Sequence, residues 1–256
     1  MSSKVEVFRA KTGAEIQLMF EAGQILGACL KHLSEMVAPG VTTDEINQEA
    51  DRYIRQQDCT PGFLGYSGFP KSICISVNEE VVHGIPGARK IKEGDLVSLD
   101  LGLIRKAWWA DSGCSVGCGR LDPESLRLVE VTRESLNRGI AACVAGNTVG
   151  DIGHAIQTYV EANGFSVVRQ YVGHGIGQDM HEPPQVPNFG QPGSGNQLKV
   201  GHVLAIEPMV NAGGQGVHVL DDDWTVVTDD GKRSCYFEHT VAITEDGPRV
   251  LTRVDE

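Results

Sequence analysis

Two segments of this chain repeat each other about a hundred residues apart, and that repetition narrows the possible folds more than any other feature. Thr42-x-x-Glu45-Ile46 matches Thr148-x-x-Asp151-Ile152 at an offset of 106, and Lys92-x-Gly94-x-Leu96 matches Lys199-x-Gly201-x-Val203 at an offset of 107. The first match alone fits a chance likeness of two amphipathic helix starts. The second brings Asp100 onto Glu207, each carboxylate closing an apolar stretch of strand character. Two halves that each supply a helix, strands and a terminal carboxylate predict an internally duplicated α/β fold whose halves meet around a central site. We expect one domain over residues 1–256 with pseudo-repeat halves at about 12–120 and 121–250, although 256 residues would also suffice for two small domains. No linker interrupts the chain, and the Gly-Pro-rich stretch from Val186 to Gly195 is short enough to be a surface loop.

Three helix starts carry their own capping chemistry. Thr12 with Glu15 precedes a stripe of Ile16, Phe20, Gly23, Gly27, Leu30 and Leu33, with Pro39-Gly40 as its expected end. Thr42 with Glu45 precedes Ile46, Ala50, Tyr53 and Ile54, and Thr148 with Asp151 precedes Ile152, Ala155, Ile156, Tyr159 and Val160.

The segment SLDLGLIRKAWWADSGCSV alternates on both sides of Arg105-Lys106, which predicts a hairpin with a two-residue turn and paired positions summing to 211. Asp100 and Asp111 would then face each other directly, with Cβ atoms about 4.5–5.5 Å apart, where like charges repel unless a cation neutralises them. Arg-Lys lacks the residues such turns prefer, and a longer turn would move the register, an even shift keeping both side chains on one face. From this segment alone, a solvent-facing hairpin with two unrelated aspartates fits as well.

Further candidates lie downstream. His174 stands between glycines in YVGHGIGQDMHEPPQVPN, with His181 seven residues on. Glu207 precedes a proline in LAIEPMV, which holds it extended, and Glu238 sits in the β-branched run of CYFEHTVAIT, where an unpartnered carboxylate is costly to bury. Singly, each is unremarkable. Together they are a plausible oxygen-and-nitrogen ligand set for a divalent cation.

Composition removes competing classes. A net charge of −12 argues against binding a phosphate backbone, for which Lys and Arg gather on one face. With 41% hydrophobic and 22% charged residues the chain reads as an ordinary soluble protein. No apolar run approaches a bilayer's thickness, the start MSSKVEVFRAKTGAEIQ lacks a signal-peptide core, and seven cysteines without framework spacing suit free thiols in a reducing compartment. A cytoplasmic location is the expectation.

The order His83, Asp100, Asp111, His174, His181, Glu207, Glu238 resembles that of the type I methionine aminopeptidases, members of the pita-bread fold. The run from Gly65 to Gly87 and the stretches VGHGIG, IEPM and FEHT are similar to motifs of that family, over a span from about Lys11 to Ile243. Departures are small: Pro183 stands where an acidic residue is usual, and Phe189 where a tyrosine is more common. The resemblance implies a central antiparallel curved sheet with outer helices, and an aminopeptidase that removes the initiator methionine when the second residue is small. It implies Asp111 and Glu238 as carboxylates bridging two metals, His174 and Glu207 completing one site and a bidentate Asp100 the other. One imidazole among five ligands favours cobalt, manganese or iron over a thiolate-type zinc site. By the same resemblance Glu207 takes a proton from the attacking water, His181 stabilises the oxyanion, and His83 contacts the peptide. The methionine pocket would be lined by Phe63, Tyr66, Phe69, Cys74, Met180 and Trp224, with His83 and His181 beside it. Implied partners are the N-termini of nascent chains at the ribosome, for a monomer that binds neither nucleic acid specifically nor membrane. The remaining histidines, His32, His154, His202, His218 and His239, are expected to be structural.

Rival readings have discriminators. Xaa-Pro aminopeptidases and prolidases share the five ligands but carry a large N-terminal domain, whereas 82 residues precede His83 here. The 33 residues from His174 to Glu207 leave no room for the inserted helical subdomain of type II methionine aminopeptidases. A non-catalytic binding module on this scaffold would be expected to have lost ligands.

Overall fold

A capping box starts three of the four helices of the computed structural model, which describes residues 8–253. Residues 1–7, which begin the segment read as free of a signal-peptide core, and 254–256 lie outside the described residues. In α1 (Gly13–Glu35) the Thr12 hydroxyl accepts from the Glu15 N–H while the Glu15 carboxylate accepts from the Thr12 N–H, and the same reciprocal pairing opens α2 (Thr43–Gln56); at α4 (Val149–Ala162) the Asp151 carboxylate accepts from both the Thr148 N–H (2.7 Å) and the Thr148 hydroxyl (2.8 Å). α1 stops at Glu35, short of Pro39, with the Met36 N–H turning back to the Leu33 and Ser34 carbonyls. Its buried face includes Ile16, Gly23, Gly27, Leu30 and Leu33, while Phe20 stays half-buried. The sequence reading did not place α3 (Pro123–Ala142). Its signal was Asp122 as N-cap followed by proline at the first helical position, and it buries Leu128, Val131, Leu136 and Ile140.

The strands, in chain order, are β1 (Thr60–Pro61), β2 (Cys74–Val77), β3 (Glu80–Val82), β4 (Leu96–Arg105), β5 (Trp108–Gly117), β6 (Ser166–Val167), β7 (Gly173–Gly175), β8 (Glu182–Val186), β9 (Val203–Ile206), β10 (Met209–Asn211), β11 (Val217–Val219), β12 (Val226–Thr228), β13 (Ser234–Tyr236), β14 (Glu238–Thr244) and β15 (Gly247–Val250). The main sheet is antiparallel and curled, in the order β1-β4-β5-β14-β9-β7-β8, with β2 on β4 and β15 on β14. α1 lies against β4 and β5, and α3 packs on α4. One apolar cluster under α1 and α2 contains Leu26, Ile46, Ile54, Leu99 and Leu101, and another under α3 and α4 contains Leu128, Ile152, Ile156, Leu204 and Ile206.

The duplicated motifs repeat their backbone bonds as well as their letters. Gly40 N–H donates to Ile91 O at 2.8 Å, and 106–107 residues later Gly146 N–H donates to Leu198 O at 3.0 Å. Ile91 N–H to Val41 O recurs as Leu198 N–H to Asn147 O, and Cys59 N–H to Ile54 O recurs as Phe165 N–H to Val160 O. Gly94 and Gly201 take left-handed φ of +85° and +92°, which a side chain would strain, so the retained Lys-x-Gly spacing has a conformational cause. The helix-and-strand duplication is therefore in the geometry.

The hairpin differs from its predicted register. β4 and β5 pair with sums of 213, so Asp100 faces Gly113 and Asp111 faces Gly102. The turn is Lys106-Ala107, both with positive φ (50° and 65°), as a two-residue primed turn demands even without Asn or Gly. The shift of two keeps both carboxylates on one face but makes them diagonal neighbours, which relieves the head-on repulsion of the predicted pairing.

All seven cysteines are free thiols, six of them buried, and burial pushes Cys29 and Cys143 up to about 12. Among the described residues no helix is long and apolar enough to cross a membrane.

Candidate metal centre and adjoining cavity

Strand register assembles the acidic centre row by row. Gly113 on β5 stands between Asp100 on β4 and Glu238 on β14, and the β14–β9 register, with His239 opposite Ile206, carries that row on to Glu207. In the neighbouring row His174 on β7 faces Ala205, which faces Thr240, and the Thr240 hydroxyl accepts from Asp111 N–H (3.1 Å) and donates to Asp111 O (2.7 Å). Asp111, His174 and Glu238 each offer a ligand atom within 4.8 Å of the others. The Glu207 carboxylate joins them, 3.6 Å from His174 Nε2, and His174 Nε2 is 3.8 Å from Asp111. Asp100 lies outside the tight triad and borders the cavity beside it.

Gly113 is required where it stands. A Cβ there would lie 2.2 Å from the Tyr236 ring, and that ring's hydroxyl donates to Glu238 Oε2 at 2.7 Å. The missing side chain thus makes room for the tyrosine that holds one carboxylate oxygen. Asp100 Oδ1, Asp111 Oδ1 and Glu238 Oε1 are buried without a hydrogen-bond partner. Leaving three such oxygens buried and unpartnered would cost several kcal/mol, on the order of 2 kcal/mol or more each, so the donor set fits cations that would satisfy them.

Electrostatics agree with that fit. Burial, and next the charge of Asp111, raise Asp100 well above the usual carboxylate range; burial raises Asp111 to about 7. Glu207 and Glu238 are likewise raised, first by burial and then by their acidic neighbours. Burial depresses His174 to about 3, and its Nδ1 sits 2.9 Å from Gly175 O, which makes Nδ1 the protonated nitrogen and leaves Nε2 a lone pair toward the carboxylates.

Next to this cluster is a cavity of about 250 Å³ lined by Phe63, Tyr66, Ser67, Phe69, Cys74, His83, Asp100, Met180, His181 and Trp224. All eight residues named from the sequence as substrate contacts meet there. Phe69 and Trp224 touch edge to face (5.1 Å), and the His83 ring stands edge-on to Tyr171 (5.6 Å) and Trp224 (6.2 Å). His83 has φ +60°, a strained conformation for a side-chain-bearing residue, and burial lowers it to about 4. The sequence reading missed Tyr236, Thr240, Tyr171 and Ser67. Tyr236 and Thr240 lie two positions either side of Glu238, a spacing that could have raised them; Tyr171 and Ser67 had no such signal.

A curled, duplicated antiparallel sheet with four carboxylates and an unprotonated imidazole nitrogen converging beside an aromatic cavity defines a candidate metalloenzyme. The model of metallopeptidase family M24 matches residues 17–245. Methionine aminopeptidase 1 of Bacillus subtilis is 51% identical over 244 residues, covering 95% of this chain and 98% of that one. The crystal structure of methionine aminopeptidase from Thermotoga maritima superposes with a TM-score of 0.95 at 42% identity, covering 97% and 100% of the two chains. Prolidase from Pyrococcus furiosus shares the fold alone, with a TM-score of 0.75 at 21% identity over 96% of this chain and 66% of that one. The chain belongs to metallopeptidase family M24, in the branch of the methionine aminopeptidases, and is a metal-dependent aminopeptidase.

A pH-linked stability follows from the raised carboxylates. The folded chain holds these protons more tightly than the unfolded chain, so their contribution turns against folding as pH rises from about 4, the unfolded value, through about 7 for Asp111. Cations need the ionised forms and relieve that penalty. The gain in Tm on adding Mn²⁺ to chelator-treated protein is therefore expected to be larger at pH 8 than at pH 5.5. Differential scanning calorimetry at both values checks it, and an equal or reversed gain would remove the carboxylates from cation binding.

Proposed function

We propose that this chain removes the initiator methionine from nascent polypeptides whose second residue is small, using two divalent cations held by Asp100, Asp111, His174, Glu207 and Glu238. The observation that carries the reading is the position of Asp100, which belongs to the acidic centre and also lines the aromatic cavity. A methionine side chain in that cavity would bring its own carbonyl to the carboxylates. Asp111 and Glu238, the buried central pair, would bridge; His174 and Glu207 would complete one position and Asp100 the other.

When bound, such cations would supply Lewis acidity that polarises the carbonyl and makes the attacking water more acidic. The chain's residues do the rest. Glu207 takes the proton released by the attacking water. His181, exposed at the mouth of the cavity yet partly desolvated by its neighbours, is held below its ordinary value and donates a hydrogen bond to the oxygen that gains charge as the carbonyl becomes tetrahedral. His83, also neutral at pH 7, contacts the peptide and orients it. Phe63, Tyr66, Phe69, Cys74, Met180 and Trp224 exclude water and take the flexible thioether through apolar and sulfur–aromatic contact.

Cobalt, manganese or iron suits a site of four carboxylates and one imidazole. The whole chain acts as one catalytic domain with halves at about 12–120 and 121–250, a cytoplasmic monomer meeting its substrates at the ribosome. Chelated protein is expected to lose hydrolysis of Met-Ala-Ser and recover it with Mn²⁺, Fe²⁺ or Co²⁺, while Ala-Pro-Ser stays intact. Chromatography of the two peptides tests this. Full activity after verified metal removal would sink the cation mechanism, and faster cleavage of Ala-Pro-Ser would assign an Xaa-Pro activity instead.

A further inference from the structure

His181 is held differently in its backbone and in its ring. Its loop is fixed by Glu182, whose carboxylate accepts from Gln178 N–H (2.9 Å) and Asp179 N–H (3.4 Å) and from the buried Lys11 ammonium (2.7 Å). None of these bonds reaches the imidazole. Among the described residues, the one hydrogen-bond partner of the His181 ring is Tyr66, whose hydroxyl oxygen is 2.7 Å from Nδ1.

Tyr66 is itself presented by a strained turn. Gly65, Ser67 and Gly68 all have positive φ (83°, 49° and 91°), and the turn is closed by Gly65 N–H to Phe69 O (2.8 Å) and Phe69 N–H to Tyr66 O (2.9 Å). A serine in the left-handed region costs free energy that the surrounding structure must offset, and such strain gathers where a side chain needs an exact aim. The Tyr66 ring then rests edge-on to Trp109 at 5.7 Å, which sets its direction.

We propose that Tyr66 is a positioning residue for the hydrolysis, its hydroxyl donating to His181 Nδ1 and so fixing Nε2–H as the donor that meets the developing oxyanion. This rests on the reading of His181 given above. Two tautomers are open to a neutral imidazole. If Nδ1 carried the proton and donated to the phenol oxygen, Nε2 would be a lone pair facing an oxygen that is gaining negative charge, which is repulsive. A phenol is the better donor and an imidazole nitrogen the better acceptor of the two, so O–H···N is the favoured direction. Burial raises the Tyr66 hydroxyl above its ordinary value, which keeps it protonated and a donor at neutral pH.

The bond matters most when charge develops on the substrate oxygen, so its loss belongs in kcat more than in KM. Tyr66→Phe keeps the ring, its packing on Trp109 and the wall of the cavity. In the manganese-loaded enzyme it is expected to lower kcat on Met-Ala-Ser about tenfold while KM moves less than about threefold. His181→Ala is expected to lower kcat by roughly 10²-fold or more. The double variant should then match His181→Ala alone, because without the imidazole the hydroxyl has nothing to orient. Independently of turnover, long-range ¹H–¹⁵N correlation spectra of ¹⁵N-histidine-labelled protein should show His181 as the Nε2–H tautomer in the wild type and a mixed or reversed population in Tyr66→Phe.

A kcat within twofold of wild type in Tyr66→Phe, or an equal tenfold loss when Tyr66→Phe is added to His181→Ala, would overturn the proposal. So would an Nδ1–H tautomer in the wild-type protein. Wild-type kcat in His181→Ala would instead overturn the oxyanion reading of His181 and take the proposal with it, a result distinct from a normal His181→Ala loss beside an inert Tyr66→Phe.

Discussion

Glu238→Ala and Asp111→Ala are each expected to lower kcat/KM on Met-Ala-Ser by roughly 10³-fold or more and to deplete both cation positions, the largest effect of any substitution in this chain. The reason is their place in the cluster. Glu238 feels the charges of Asp111, Glu207 and Asp100 together, and Asp111 is a neighbour of both Asp100 and Glu207. In the proposed two-cation arrangement a carboxylate shared by both cations could not be removed without loosening both, whereas His174, at one end of the row system, would serve one. His174→Ala is accordingly expected to retain about one cation per chain, measured by inductively coupled plasma mass spectrometry after gel filtration. The fold should survive all three changes in metal-free protein. Removing one of four buried, mutually repelling carboxylates relieves repulsion in the absence of cations, so Tm of the chelated variants should not fall for Glu238→Ala or Asp111→Ala as it does for an ordinary core truncation. Equal cation loss in all three variants would contradict the bridging assignment.

The second large effect concerns substrate choice. Methionine before Gly, Ala or Ser is expected to be removed, and methionine before Leu or Lys to be retained, with at least ten- to two-hundred-fold discrimination between Met-Gly-Ser and Met-Leu-Ser. If the first side chain sits between Phe63, Phe69, Cys74 and Trp224, as proposed, the scissile carbonyl would be pinned beside Asp100 and the second side chain would have to leave past His83. That wall does not give way easily: His83 is itself in a strained left-handed backbone, and its ring is braced edge-on by Tyr171 and Trp224. Overpacking a braced wall costs on the order of 1–3 kcal/mol, which is the stated discrimination. Trp224→Ala removes one brace and one pocket wall together. It is expected to raise KM for Met-Ala-Ser more than it lowers kcat, since the loss is mainly of binding common to the ground and transition states. A panel of Met-X-Ser peptides followed by chromatography reads both quantities. Equal rates for Met-Gly-Ser and Met-Leu-Ser, or preference for an N-terminal residue other than methionine, would mean that the cavity does not set the specificity.

Much of the molecule was legible in its sequence because the relevant interactions are local. The capping boxes at Thr12, Thr42 and Thr148 each join two residues three positions apart, and all three open helices at the expected positions. The repeated Lys-x-Gly motif marks a backbone conformation, left-handed at Gly94 and Gly201, that a single residue type supplies cheaply, so its trace survives as letters. Of the five candidate ligands named in advance, Asp111, His174 and Glu238 meet within 4.8 Å, Glu207 stands 3.6 Å from His174, and Asp100 lines the adjoining cavity together with the named pocket residues. α3 went unplaced although Asp122-Pro123 announces it, a failure of reading rather than of the signal.

Tertiary structure alone decided how the carboxylates stand. Strand alternation has a period of two, so the sequence could put Asp100 and Asp111 on one face but could not distinguish a pairing sum of 211 from 213, since both preserve that face. The choice came from outside the hairpin: Trp109 N–H is bound to Gly177 O at 2.8 Å, the Tyr236 ring needs the space that only Gly113 leaves, and Thr240 grips both backbone groups of Asp111. Tyr236, Thr240 and Tyr66 acquired their contacts in the same way, from segments brought together by β14 and the loop before β8. Face and helix start are fixed by neighbours along the chain; register, and with it the row of Asp100, Gly113 and Glu238, is fixed by what packs against the sheet from 68 to 129 residues away.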